Sequence, residues 1–492
     1  MGTLLSAMQT ENTFTENGMT TSSSSLNNCV NLFFQIGAMR GKDKQILINT
    51  FVKAYNENPL TAMRLLFWAR DVRGGAGERQ IFRDIIQYLA NTQTESLAKN
   101  LSYVSEYGRW DDLLAFIGTK LENQAFAAIK QGLDDKNGLC AKWMPRPNIG
   151  NRERKRQATA LRKYLGLTPK EYRKTLVELS NTVEQLMCSK NWNAIEYSKL
   201  PSKAMSDYMK AFSKNDLERF QAYLESVKKG DVKINAGALY PYDVVKNMKH
   251  GVSNGADVQW NALPNYMIGN TERLLPVVDV SGSMECSAGN NDNVTCMDVS
   301  ISLGLYISER NLGAFKDAFV TFSSRPNLQY LSGTLSERYN QLSAAEWGMS
   351  TNIEAVFELI LNQGKKHNVA ENEMPTMILI LSDMEFNQAS QSSGGWGFGS
   401  SSSGGEHNWN PTAQKMIEKM YSDAGYTMPK IVYWNLNARN NNFPVSFDKE
   451  GTALVSGFSP ALLTSLLAGK DLTPISMMNQ VVNSARYEKI TV

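Results

Sequence analysis

Five short apolar runs constrain this chain most: LLPVVDV (274–280), AFVTF (318–322), TMILIL (376–381), KIVYWNL (430–436) and ALVSG (453–457). Runs of this length without alternation suit strands buried on both faces of a sheet. Helix candidates lie between or after them at 297–309, 352–361, 411–422 and 460–467. Alternating strand and helix predicts a doubly wound parallel sheet over 266–492. The segment 390–405 (SQSSGGWGFGSSSSGG) falls after a strand end and reads as a flexible surface loop with Trp396 and Phe398 exposed.

Residues 31–265 have a different texture. Met63, Leu66, Phe67 and Arg70 stand at helical spacings, three of them apolar on one stripe. Gly74-Gly75-Ala76-Gly77 ends that helix, and another begins through Glu78 with Ile81, Ile85 and Tyr88 in phase. Further candidates are 110–117, 123–133, 158–165, 169–188, 202–213 and 216–227. Such a train predicts an all-α module, either a bundle or a helical-repeat solenoid. Residues 1–30 are rich in Ser and Thr and read as a flexible polar arm. The expected class is multidomain, α followed by α/β.

Composition removes several functions. Five cysteines (Cys29, Cys140, Cys188, Cys286, Cys296) contain no C-x-x-C pair, and His250, His367 and His407 are far apart. Neither a disulfide framework nor a structural zinc site is expected, which suits a reducing, cytoplasmic compartment. No apolar run is long enough to span a bilayer, and the N-terminus lacks a signal-peptide pattern. Met1, Gly2 and Ser6 meet too little of the myristoylation pattern to argue a lipid anchor. The net charge of +3 hides an asymmetry of +10 over 1–270 and −7 over 271–492. An excess of +11 is concentrated in 136–233 and would draw a polyanion there first. Arg152, Arg154, Lys155, Arg156, Arg162, Lys163, Arg173 and Lys174 are the candidate phosphate contacts, with Tyr164 and Tyr172 placed to stack on unpaired bases. The plainer reading of that run is a solvated helix face.

Asp279-Val280-Ser281-Gly282-Ser283 ends the first strand of the α/β half. The carboxyl edge of a parallel sheet is where such folds place ligands. A hydroxyl pair two residues apart beside a carboxylate offers oxygen ligands to a hard cation, Mg2+ or another such as Mn2+. Thr351 and Asp383, at later strand-to-helix crossings, complete the set. A polar strand-end turn is the structural alternative. A haloacid-dehalogenase phosphatase would need a carboxylate where Ser281 stands.

Asp279, Ser281, Ser283, Thr351 and Asp383 resemble the metal-ion-dependent adhesion site (MIDAS) of von Willebrand factor A domains. The resemblance implies a divalent ion held by hydroxyls and carboxylates, with an open position for a partner's carboxylate. The insertion 285–295 departs from that pattern and carries Asp292 as a competing ligand. The stretches 70–79 (RDVRGGAGER), 107–113 (YGRWDDL) and 141–146 (AKWMPR), placed before such a domain, resemble the TROVE-type, HEAT-like module of Ro ribonucleoproteins. They are more similar still to an uncharacterised family of that build from bacteria, plants and large DNA viruses, including phages. The resemblance implies a ring-shaped helical scaffold that binds structured or misfolded RNA, in host cytoplasm if the chain is viral. The oligomeric state is left open, with a monomer favoured.

No serine or cysteine has an elbow or base partner around it, and Gly74-Gly75-Ala76-Gly77 lacks the Lys-Ser/Thr of a phosphate loop. The charges in 70–79 and 109–112 read as internal ion pairs, and Trp68, Trp110 and Trp143 as core. The expected function is a non-catalytic, RNA-binding ribonucleoprotein component with a metal site and no membrane contact. The alternative is a metal-dependent protein interaction adaptor without RNA, capturing an acidic partner. A nuclease is least supported, because no second carboxylate-rich shell is visible.

Overall fold

The computed structural model describes residues 12–148, 150–180, 182–249, 253–288, 294–322, 326–344, 351–387, 412–469 and 471–492. The chain divides into two compact units. One comprises the described part of Met1–Ala38 with Met267–Gly457 and Leu463–Met478, and the other Met39–Tyr266, Phe458–Leu462 and Asn479–Val492. The architecture is α plus α/β. The loop 390–405, with Trp396 and Phe398, and also Asp292, His250 and His407, lie outside the described residues. Among the described residues no helix is long and apolar enough to cross a membrane.

The sheet unit begins with a hairpin, β1 (Asn12–Phe14) and β2 (Thr20–Ser22). Its main sheet contains β3 (Leu274–Val278), β4 (Ala318–Thr321), β5 (Leu328–Tyr330), β6 (Met377–Ser382), β7 (Lys430–Asn435) and β8 (Thr452–Ser456), in the order β5-β4-β3-β6-β7-β8. The five apolar runs are the five parallel strands, and each is buried almost throughout. The expectation of an all-parallel sheet needs one correction, because β5 pairs antiparallel with β4. This edge strand is three residues long and largely exposed, so it leaves no apolar run in the sequence. The helix Cys296–Arg310 packs so closely on β3 that a Cβ on Gly304 would lie 2.6 Å from Val278.

The order reverses at β3, whose neighbours are β4 and β6. The carboxyl ends of β3 and β6 therefore flank the switch point where open α/β sheets form a crevice. Asp279 and Asp383 follow these two ends directly.

The expected arm 1–30 is corrected where it is described. Residues 12–22 form the hairpin, which hydrogen-bonds to loops at the carboxyl edge of the sheet. Thr15 Oγ1 donates to Phe386 O at 2.6 Å, and Ser22 and Phe443 exchange main-chain bonds at 3.2 and 2.9 Å. Thr15 and Thr21 are buried. Polar side chains here are satisfied by loop main chain, so little apolar surface is needed to order them. The helix Asn28–Ile36 follows, capped by Asn27, and the Phe33 carbonyl accepts from Ser456 Oγ at 2.7 Å.

In the helical unit, Lys44–Glu57, Pro59–Arg70 and Arg79–Thr92 pack against one another. The turn Gly74-Gly75-Ala76-Gly77 folds back on the end of Pro59–Arg70: Ala76 N donates to Trp68 O and Glu78 N to Ala69 O. A Cβ on Gly75 would overlap the Trp68 carbonyl oxygen, so this glycine is a packing requirement. Residues 110–116 form a 3-10 helix, and 169–188 is two helices, Pro169–Ser180 and Val183–Cys188. A second core gathers Tyr197, Phe212 and Phe220, with ring centroids 5.1 to 5.5 Å apart.

The last residues, 479–492, belong to the helical unit. Asp71 is fully buried and accepts from Arg486 and from Tyr487 Oη, while the Tyr487 ring stacks on Tyr107 at 5.6 Å. Asn100 exchanges hydrogen bonds of 2.6 and 3.1 Å with the main chain of Thr491.

The acidic residues of 70–112 are ion-paired, Arg70 with Asp112 at 2.7 Å, Arg109 with Asp111 at 2.7 Å and Arg40 with Glu78 at 2.7 Å. Arg79 has no ion-pair partner among the described residues and faces the charges of Arg109, Arg83 and Arg70. Trp68 is buried, whereas Trp110 and Trp143 are only half-buried, and the Arg109 guanidinium lies 3.6 Å over the Trp143 ring. Asp111 meets three guanidiniums, Arg83 at 3.0 Å, Arg109 at 2.7 Å and Arg154 at 3.5 Å. Burial alone would raise its carboxyl, but hydrogen bonds from Arg109 and Arg83 and their charges override this and hold it down at about 2. A carboxyl depressed in the folded state adds stability above its unfolded value of 3.8, and loses it as pH falls through about 2. Urea unfolding between pH 5 and 2 should therefore show a loss of stability that flattens in Asp111→Asn; an equally steep curve in the variant would remove Asp111 from the acid response.

Candidate cation site and basic groove

Asp279 and Ser281 lie where the chain leaves β3, and Ser283 in the short 3-10 helix Gly282–Glu285 that follows. Asp279 is fully buried, its N–H donating to Leu381 O at 3.0 Å. Its Oδ1 accepts from Ser281 N at 2.9 Å and its Oδ2 from Ser382 Oγ at 2.6 Å. The Ser281 and Ser283 hydroxyl oxygens are 3.0 Å apart. The D-x-S-x-S spacing thus sets two hydroxyls side by side next to a carboxylate.

Asp383 arrives from the end of β6, with its Oδ1 accepting from Glu385 N at 3.3 Å. Burial raises Asp279; burial and the neighbouring Asp279 charge push Asp383 up to about 7. Asp383 Oδ2 is buried and has no hydrogen-bond partner among the described residues, with Arg439 Nε 3.6 Å away. Thr351 is buried and joined to Asn387, its carbonyl accepting from Asn387 N at 3.0 Å and its N–H donating to Asn387 Oδ1 at 3.3 Å, but among the described residues no hydrogen bond ties its hydroxyl to the other four residues. Hydrogen bonds therefore link Asp279, Ser281 and Ser283, Asp383 meets the Asp279 charge, and Thr351 is held by Asn387.

This donor set fits a hard divalent cation. It has two neighbouring hydroxyl oxygens, two buried carboxylates that repel one another, and an orphaned carboxylate oxygen. Among the described residues there is no group of three or more His, Cys, Asp or Glu side chains that could hold an ion, so any cation here relies on the hydroxyls. Sequence reasoning missed the surrounding groups. Ser382 precedes Asp383 and looks like the last residue of a strand. Arg439 lies 56 positions away, donating to Ser283 O at 2.6 Å and lying 3.3 Å from Glu16. Glu385 accepts from Glu16 N, Asn440 Nδ2 and Asn442 Nδ2 at 2.6, 3.2 and 2.7 Å. Only loop contacts far apart in sequence assemble these groups.

The basic residues divide into three groups. Arg152, Lys155, Arg156 and Lys163 of the helix Arg152–Tyr164 line an open groove of about 1180 Å3, together with Phe126 and Tyr164. Tyr164 is 40% exposed and its ring lies 5.2 Å from that of Phe126. Arg154 instead turns inward to Asp111 and to Trp143 O at 3.2 Å, and Arg162 donates to Leu167 O at 2.7 Å. Arg173 and Lys174 are exposed on the helix Pro169–Ser180, where Lys174 lies 3.6 Å from Glu178. The stacking role expected of Tyr172 is corrected: its ring is fully buried and its hydroxyl donates to Pro145 O at 3.2 Å.

Mg2+ is expected to raise the melting temperature of the wild type, and Asp279→Ala with Ser281→Ala to abolish that rise. A ligand at 100 times its dissociation constant stabilises by about 2.7 kcal/mol, well within calorimetric reach. An undiminished metal response in the double variant would exclude these ligands. Arg439→Gln removes the positive charge nearest Asp383 and should lower the Mg2+ midpoint severalfold; an unchanged or raised midpoint would show that Arg439 does not compete with a cation.

Residues 15–138 and 139–270 match a family described as Domain of unknown function (DUF2828), and residues 274–489 match one described as Domain of unknown function (DUF7788). The chain is also similar to a protein of Acanthamoeba polyphaga mimivirus described as Uncharacterized protein L728, with 29% identity over 522 residues, covering 95% of this chain and 87% of the viral protein. The first match takes in more than half of the sequence, from the N-terminal hairpin through the helical unit, and on that extent the chain belongs to the DUF2828 family.

Proposed function

We propose that the protein is a non-catalytic, RNA-binding ribonucleoprotein component of Ro-like build, with a von Willebrand factor A-like unit that takes Mg2+ or Mn2+. The observation that carries the RNA reading is the groove on the helix Arg152–Tyr164, lined by four cationic side chains against Glu122 and Glu153, with a half-exposed tyrosine among them. Cationic side chains contact phosphates without reading sequence, and an exposed ring accepts any unpaired base. A structured RNA with a single-stranded tail is the ligand class that uses both. Asp279, Ser281, Ser283 and Asp383, with Thr351 beside them, would hold the ion. A second reading, an adaptor that captures an acidic partner through the ion, is favoured by the hydroxyl-rich donor set. Five protein oxygens leave one position of a six-coordinate cation open to a partner's carboxylate.

The test is a salt-series titration of such an RNA with and without Mg2+. Submicromolar binding that weakens steeply with salt supports the RNA reading, and absence of binding at low salt overturns it in favour of the adaptor. Lys155→Glu, Arg156→Glu and Lys163→Glu together should weaken binding and flatten the log–log salt slope by about 2, at roughly 0.7 for each phosphate no longer neutralised. Arg154 is left intact because it holds Asp111. An unchanged slope would place the RNA surface elsewhere.

A further inference from the structure

The residues between β3 and the helix Cys296–Arg310 leave and return as an antiparallel pair. Ser287 bridges Thr295, Ala288 N donates to Val294 O at 2.8 Å, and Cys296 N donates to Cys286 O at 3.0 Å. Cys286 and Cys296 are thus the cross-strand pair at the base of this excursion. Their sulfurs rest against two consecutive residues after β7. Asn437 Nδ2 donates to Cys286 Sγ at 3.1 Å, and Cys296 Sγ lies 3.7 Å from Leu436 O. Both cysteines are free thiols, Cys286 half-buried and Cys296 buried.

We propose that Cys286 and Cys296 form a redox modification site, in which a hydroperoxide oxidises the half-buried Cys286 and Cys296 resolves it to a reversible disulfide. The surroundings supply what a reactive thiol needs. A hydrogen bond from Cys296 outweighs the effect of burial and, with bonds from Arg439 and Asn437 and the Arg439 charge, holds Cys286 down at about 6. Cys296 is raised, because its proton is shared with Cys286 and its sulfur is buried. One sulfur is therefore the thiolate nucleophile and the other its proton donor. The Cys286 thiolate attacks one oxygen of hydrogen peroxide, the O–O bond breaks, and sulfenic acid and hydroxide result. Cys296 Sγ then bonds to Cys286 Sγ; the S–O bond breaks, and the hydroxyl leaves as water with the Cys296 proton. The peroxide takes two electrons, and a dithiol reductant returns them. The other cysteines lack this arrangement: Cys29 and Cys140 are buried, and burial raises Cys140 to about 12. Cys188 is exposed and serves as the internal control.

The experiment treats the full chain at pH 7 with stoichiometric hydrogen peroxide, alkylates it under denaturing conditions and maps peptides by mass. The expected result is joint loss of the Cys286 and Cys296 thiols, a linked peptide lighter by two hydrogen atoms, and recovery with dithiothreitol. In Cys296→Ser, oxidation should stop at a Cys286 sulfenic acid trapped by dimedone. Full alkylation of both thiols after peroxide, or consumption of Cys188 before Cys286, would overturn the proposal. The wild-type map alone decides this if the variant does not fold.

Discussion

Two carboxylates buried at neighbouring strand ends set the terms for the sheet unit. Asp279 and Asp383 stand where the strand order reverses, the position a parallel sheet leaves open as a crevice. A buried carboxylate is costly unless hydrogen bonds or an opposite charge compensate it. Much of what surrounds the pair does so: Ser382 Oγ and Ser281 N on Asp279, Glu385 N on Asp383, and the Arg439 guanidinium at the outer side. One oxygen of Asp383 is left over among the described residues, and the Ser281 and Ser283 hydroxyls lie 3.0 Å apart.

The helical unit treats its acids in the opposite way. Asp71, Asp111 and Asp112 are buried under an excess of guanidiniums, drawn from Arg70, Arg83, Arg109, Arg154 and Arg486. These pairs tie turns that are distant in sequence, including the last residues of the chain at Asp71. From the basic stretch 136–233, Arg154 enters this network, whereas Arg152, Lys155, Arg156 and Lys163 line the groove. The basic groove and the paired carboxylates Asp279 and Asp383 therefore lie in different units, as the opposite charge balances of the two halves of the sequence suggest.

Strands were legible because full burial leaves an uninterrupted apolar run, and Asp279, Ser281 and Ser283 because three neighbouring positions carry the geometry. The edge strand β5, exposed and short, leaves no such run. The segment 12–22 reads as an unstructured arm because its order comes from hydrogen bonds to Phe386, Phe443 and Glu385, residues more than 360 positions away. Within the run Arg152–Arg156 composition cannot separate side chains. Arg154 turns to Asp111 while its neighbour Lys155 lines the groove, and Tyr172 is buried while Tyr164 is not.

The sequence by itself determined the two fold classes, the parallel strands, the hydroxyl–carboxylate turn and the sign of charge in each half. These follow from local periodicity and composition, which need no partner. Tertiary structure alone decided which arginines are spent inside, that the N-terminal hairpin joins the sheet unit and the C-terminal tail the helical one, and that Ser382, Arg439 and Glu385 surround the carboxylates. Each of those depends on contacts between residues far apart in the chain, and a hydrogen bond or ion pair of that kind leaves no periodic trace in either segment that makes it.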